Sequence, residues 1–194
     1  AIGMNSVRGS AWEALESILW KGPEVEDNVW EAIEVALKAE PEIYVRCCIL
    51  KALIPIFNSD KKRFSRGIKE LVNVPNGEST SRFTPLMTSR GLYIWGFMFS
   101  ALPELAKEIV NEFLVSSDQT IELIGSWLIY RESFRNEDYV AQADNISSQS
   151  NRHERLLASL TSKAIKWAGN RDRAKSLLEF FFFHDDKVIQ EVSA

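Results

Sequence analysis

Apolar side chains return at three- and four-residue steps along most of the chain, the period of a helix with one face on a core. Val7, Ala11, Trp12, Ala14, Leu15, Ile18 and Leu19 form the first stripe, from Asn5 to Trp20, with Asn5 or Ser6 as its cap. Lys21-Gly22-Pro23 ends it. Val29, Trp30, Ile33, Ala36 and Leu37 mark a second helix behind Glu24, Glu26 and Asp27, the charge that a helix N-terminus favours. After Pro41, the segment Glu42 to Phe57 is apolar on almost every face, as a helix between neighbours must be. Pro55 is expected to kink or end it, because proline lacks the N–H of the next backbone bond.

A fourth helix is predicted over Lys61 to Val72, then a loop at Pro75 to Ser81. Further helices are predicted over about 90–101, 103–115, 118–130, 152–167 and 171–183. Residues 136–143 have no clear pattern, and 145–151 read as a polar loop. No segment alternates as a half-buried strand does, so the predicted class is all-α.

The chain repeats itself. Ser6-Val-Arg-Gly-Ser-Ala-Trp-Glu-Ala-Leu15 aligns with Tyr44-Val-Arg-Cys-Cys-Ile-Leu-Lys-Ala-Leu53 at a spacing of 38 residues, matching Val7 with Val45, Arg8 with Arg46, Ala14 with Ala52 and Leu15 with Leu53. Ser89-Arg90-Gly91-Leu92 keeps the arginine one lengthened period later. Helix pairs with a period near 40 residues predict a right-handed α-α superhelix, a HEAT- or armadillo-like solenoid, with approximate repeats 5–40, 41–74, 83–116, 117–150 and 151–184. Arg8, Arg46 and Arg90 then suggest a structural ladder, each guanidinium bonding a carboxylate or helix-end carbonyl of the adjoining repeat.

Composition narrows the function more than the fold. The 194 residues carry a net charge of −4 and are 45% hydrophobic, an ordinary folded composition. Eleven Phe and six Trp are many for this length and hint at a partner surface. No apolar run is long enough to cross a bilayer, and no secretory signal opens the chain, so a cytoplasmic protein without membrane contact is expected. The start at Ala1 and an ending that resembles the opening of another helix lead us to expect a piece of a longer protein.

Candidate chemistry is sparse. The sequence has neither Gly-x-x-x-x-Gly-Lys-Ser/Thr nor Gly-x-Gly-x-x-Gly, so no phosphate cradle and no cofactor are predicted. His153 and His184 have no cysteine near them in sequence, and Asp185-Asp186 beside His184 is too short a cluster for a metal site. Cys47 and Cys48 lie in the most apolar helix, where burial makes a thiol inert. No catalytic residue is assigned, and Gly9, Gly91 and Gly96 read as packing glycines. The cations Lys61, Lys62, Arg63 and Arg66, with basic residues near the C-terminus, could track a phosphate backbone, but a solvated basic face is preferred on an acidic chain. Phe180, Phe181, Phe182 and Phe183 cannot all point one way on a helix, so some must meet a partner or a further repeat.

The chain resembles the C-terminal helical-repeat region of very large bacterial ATP-binding proteins, including nucleotide-switch (STAND-type) ATPases implicated in antiphage defence. The resemblance is carried by Ala1-Ile2, Asn5 to Leu15, Glu42-Ile-Tyr-Val-Arg46, Glu112 to Asp118 and Arg171 to Val188. It implies a non-catalytic array that senses or holds a protein partner while a separate domain hydrolyses nucleotide. Gly3-Met4, the Pro75 to Ser81 loop and the missing nucleotide-binding segment depart from that pattern, so no ATPase activity is carried over. A nucleic-acid-binding helical repeat is the alternative.

Overall fold

The computed structural model describes residues 7–22, 25–73, 79–164, 171–184, 186, 187 and 191; the side chains of 79–82, 89, 90, 92, 162 and 163 lie outside that description. Every regular element among the described residues is helical. The chain divides into two compact units, residues 1–107 and 108–194.

The first unit contains α1 (Val7–Lys21), α2 (Glu26–Ala39), α3 (Ile43–Ser59), α4 (Lys61–Val72), α5 (Ser79–Met87) and α6 (Ser89–Ala101). Its centre is α3, against which α1, α2, α4, α5 and α6 all pack. That position explains the apolar excess of its sequence: Val45, Cys48, Ile49, Leu50, Ala52, Leu53 and Ile56 are all buried. Neighbours on several sides also carry the helix past Pro55, which is itself buried, to Ser59, so the expected end at the proline does not occur. Helix α1 packs mainly against α3, and less closely against α2. Its aligned residues accordingly differ in burial from their α3 counterparts: Val7 and Ala14 are exposed where Val45 and Ala52 are buried.

Local signals fix most boundaries. Asp60 ends α3 and caps α4, its carboxylate accepting from the Lys62 and Arg63 amides at 2.8 and 3.0 Å. Asp118 caps the helix Gln119–Ser133 in the same way. The helix α5 was not predicted. Residues 79–81, read as loop, belong to it, and Phe83 and Leu86 anchor it on the core. Residues 75–78 of that loop, the Asn5 or Ser6 cap, Gly3-Met4, Pro23 and Glu24 lie outside the described residues.

Helix α7 (Pro103–Leu114) runs across the boundary between units. The second unit continues with α8 (Gln119–Ser133), a 3-10 turn at Glu137–Tyr139, α9 (Val140–Ser147), α10 (Asn151–Ala164) and α11 (Arg171–Phe182). Helix α8 packs against the turn, α9 and α10, and α10 against α11. Its core includes Ile121, Leu128, Tyr130, Phe134, Leu157 and Phe181. Residues 145–147, expected as loop, complete α9, where Ala143 and Ile146 are buried.

Two glycines of α6 behave differently, correcting their common reading as packing positions. A Cβ on Gly91 would sit 2.4 Å from the Leu86 carbonyl carbon and oxygen, so α5 and α6 approach through it. A Cβ on Gly96 would meet nothing within 4 Å. We predict that Gly91→Ala destabilises the protein by about 2–3 kcal/mol, since backbone cannot retreat as a side chain can. Gly96→Ala should instead stabilise by up to about 1 kcal/mol through helix propensity. Urea unfolding of the two variants checks the opposite signs.

Candidate functional site

A buried polar feature with several hydrogen bonds is built on Arg46. Its side chain is fully buried at the start of α3. Nη1 donates to the Leu37 and Glu40 carbonyls at 2.9 and 3.2 Å, at the end of α2. Nη2 donates to the Glu70 and Leu71 carbonyls at 2.6 Å each, and Nε to Leu71 at 3.2 Å, in the last turn of α4. Helix-end carbonyls have no partner within their own helix and carry roughly half a negative charge per terminus. Two such ends together match one guanidinium, which offsets the cost of burying it. Burial lowers the pKa of Arg46 from its ordinary value while Glu40 and Glu70 oppose that shift; arginine stays charged throughout.

Arg8 occupies the aligned position on α1 and also meets the end of α2. Its Nη1 donates to both oxygens of Glu40 at 2.9 and 2.7 Å. The Glu40 carboxylate, itself nearly buried, accepts as well from the Glu42 amide at 2.9 Å. Glu40 thus joins the two arginines, one through its side chain and one through its carbonyl. The side chain of Arg90 lies outside the described residues.

The basic residues of α4 face the acidic α2. Arg63 pairs with Asp27 at 2.6 Å and with Glu26 and Asp60 at 3.5 and 3.6 Å, and its pKa is raised, chiefly by Asp27. Arg66 pairs with Glu34. Both guanidinium carbons stand over the Trp30 ring, at 5.9 and 5.1 Å. Lys61 leans on the Phe57 ring at 5.7 Å, and Lys62 lines the α2–α4 groove with Asp27, Glu31 and Glu34. The four cations therefore sit on a mixed-charge surface. Of the phenylalanine run, Phe181 is buried, whereas Phe180, Phe182 and Phe183 are exposed, Phe183 at 79%.

Cys47 and Cys48 are free thiols. Burial pushes Cys47 up to about 11, with Cys48 adding to the shift, and burial also raises Cys48. Neither is poised as a nucleophile. A polar cluster that spacing did not reveal joins α8 to α10: His153 Nε2 lies 2.6 Å from Glu122 Oε1, and its Nδ1 lies 3.1 Å from Ser150 Oγ. These are the residue types of a hydrolytic triad, but Ser150 Oγ also accepts from the His153 amide at 3.4 Å. Ser150 caps α10 through the His153 amide, and the His153 ring contacts the same hydroxyl, which is half of a capping box. Among the described residues, no three His, Cys, Asp or Glu side chains gather as metal ligands.

The structure adds a cleft that sequence reasoning missed. A cavity of about 240 Å³ in the first unit is lined by Trp20, Phe57, Tyr93 and Phe97, with Glu16 and Asn58 among its polar groups. Trp20 and Tyr93 are 54% and 59% exposed. The aromatic content was the only signal of it, since helices far apart in sequence supply the rings. No known protein family, curated protein or solved structure matches the chain, and no helix among the described residues is long and apolar enough to cross a membrane.

Two predictions follow from these groups. Arg46→Ala leaves buried helix-end carbonyls without a partner and should cost about 3–5 kcal/mol in urea unfolding. Arg46→Lys should recover little of it, because one compact ammonium cannot span both helix ends. For the cysteines, reaction with a disulfide reagent at pH 8 should be much slower in the folded than in the unfolded chain. The folded pKa of Cys47 is raised, so its contribution to stability holds below about pH 9 and is lost as pH rises through about 11.

Proposed function

We propose that this chain is a non-catalytic helical-repeat module, a right-handed HEAT-like superhelix that makes protein contacts inside a larger cytoplasmic bacterial NTPase. The observation carrying the contact role is the set of exposed large aromatics among the described residues, Trp20, Tyr44, Tyr93, Phe180, Phe182 and Phe183. Of the cations that a phosphate backbone would need, Arg63 and Arg66 are engaged by carboxylates of α2.

Support for the repeat reading comes from packing inside each unit. Helices next but one in sequence pack together: α1 with α3, α3 with α5, α2 with α4, and α8 with α10. Stacked helix pairs produce this pattern, because each repeat finds its apolar partners in its neighbours. The aligned Arg8 and Arg46 both bond at the end of α2, but only Arg46 reaches the adjoining repeat, since Arg8 and Glu40 lie within one. The role beside a nucleotide-hydrolysing domain, and any part in antiphage defence, rest on the resemblance alone.

Capture tests the contact role. The immobilised chain is exposed to lysates of uninfected and phage-infected bacteria, treated with nuclease, and the bound material is identified by mass spectrometry. The account predicts a protein that survives nuclease, is retained by Lys61→Glu/Lys62→Glu, and is weakened by Phe182→Ser/Phe183→Ser or Trp20→Ala. Nucleic acid that elutes with salt and is lost on charge reversal, with no nuclease-resistant protein, would replace this reading by a nucleic-acid-binding one.

A further inference from the structure

We propose that the cleft framed by Trp20, Phe57, Tyr93 and Phe97 receives an arginine or lysine side chain from a protein partner, with Glu16 as its counter-charge. This deepens the contact role proposed above and rests on it.

Aromatic rings form the wall of the cleft. Phe57 and Phe97 have ring centroids 5.4 Å apart, and Tyr93 meets Phe97 edge to face at 5.0 Å. Such clustered rings line the cavity, and a cation is drawn to the faces of aromatic rings. The chain's own Lys61 already uses the Phe57 ring in this way, at 5.7 Å.

Charge then selects among occupants. Glu16 lines the cavity and forms no ion pair with any described residue, whereas Glu13, three residues earlier on α1, is paired with Lys51. An apolar occupant would cover the Glu16 carboxylate without replacing its water, which is costly. An anionic one, a nucleotide phosphate included, would be repelled by it. A guanidinium or ammonium satisfies the carboxylate and the ring faces together, and Asn58 offers a further acceptor. The aliphatic stem of the same side chain would cover Trp20 and Tyr93, and Trp, Tyr and Arg are the residues that dominate protein interfaces.

The test is a titration of the complete chain with acetyl-arginine amide, followed by amide and indole shifts in 1H–15N NMR spectra. Acetyl-citrulline amide, the same shape without the charge, is the control. The expected result is saturable binding at millimolar arginine amide, with shifts centred on residues 16–20, 54–58 and 93–97. Binding should be about tenfold weaker for citrulline and for Trp20→Ala, and several-fold weaker for Glu16→Gln. Both variants replace side chains outside the core, and unchanged spectra elsewhere establish their folding; Tyr93→Ala serves if Trp20→Ala is disturbed. Equal binding of citrulline, shifts spread over the acidic surface and indifferent to Trp20→Ala, or no shift at tens of millimolar ligand would each overturn the proposal. If it is overturned while a nuclease-resistant protein is still captured, only the cationic occupant is lost. If no protein is captured either, the contact role falls with it.

Discussion

A buried guanidinium needs several acceptors at fixed positions, and Arg46 finds them only where two helices end side by side. Its bonds to the Leu37, Glu40, Glu70 and Leu71 carbonyls hold the last turns of α2 and α4 in register against the start of α3. Shifting either helix by a turn would leave the charge facing apolar side chains. Much of the first unit is arranged around that constraint. Glu40 extends it to α1 through Arg8, while the apolar faces of α3 supply the area that holds the neighbouring helices in place.

The same packing decides what remains outside. Aligning α2 with α4 brings Asp27 and Glu34 against Arg63 and Arg66, so the most basic stretch of sequence becomes a paired surface with Trp30 beneath it. Packing α3 between α1 and α6 gathers Trp20, Phe57, Tyr93 and Phe97 around one cavity. The proposed protein contact rests on these open aromatic groups and on the pairing of Arg63 and Arg66 with carboxylates of α2. The second unit contributes the exposed Phe182 and Phe183 beside the buried Phe181, as the helical turn requires.

The helical class and most element positions were legible because amphipathic periodicity is a local property; α4 falls on the predicted 61–72. The helix α5 was missed because Pro85 and a run of Ser and Thr masked two apolar anchors, Phe83 and Leu86, whose burial depends on α3 and α6. Pro55 does not end α3, because tertiary packing outweighs one missing backbone bond. The 38-residue alignment singled out Arg8 and Arg46, but neither their acceptors nor the pairing of Arg63 with Asp27 could be read before α2 and α4 were placed together. The His153–Glu122 contact spans 31 residues with no motif to mark it. The aromatic cleft was invisible for the same reason, since its rings come from α1, α3 and α6.

The central claim is that one side chain couples two helix ends. Hydrogen exchange read by mass spectrometry on the native chain and on Arg46→Met, which keeps the apolar stem and removes the donors, tests it most directly. The account predicts that segments 34–40 and 67–73 lose amide protection together while α8 and α10 keep theirs. Loss at one end alone, or unchanged protection at both, would contradict it.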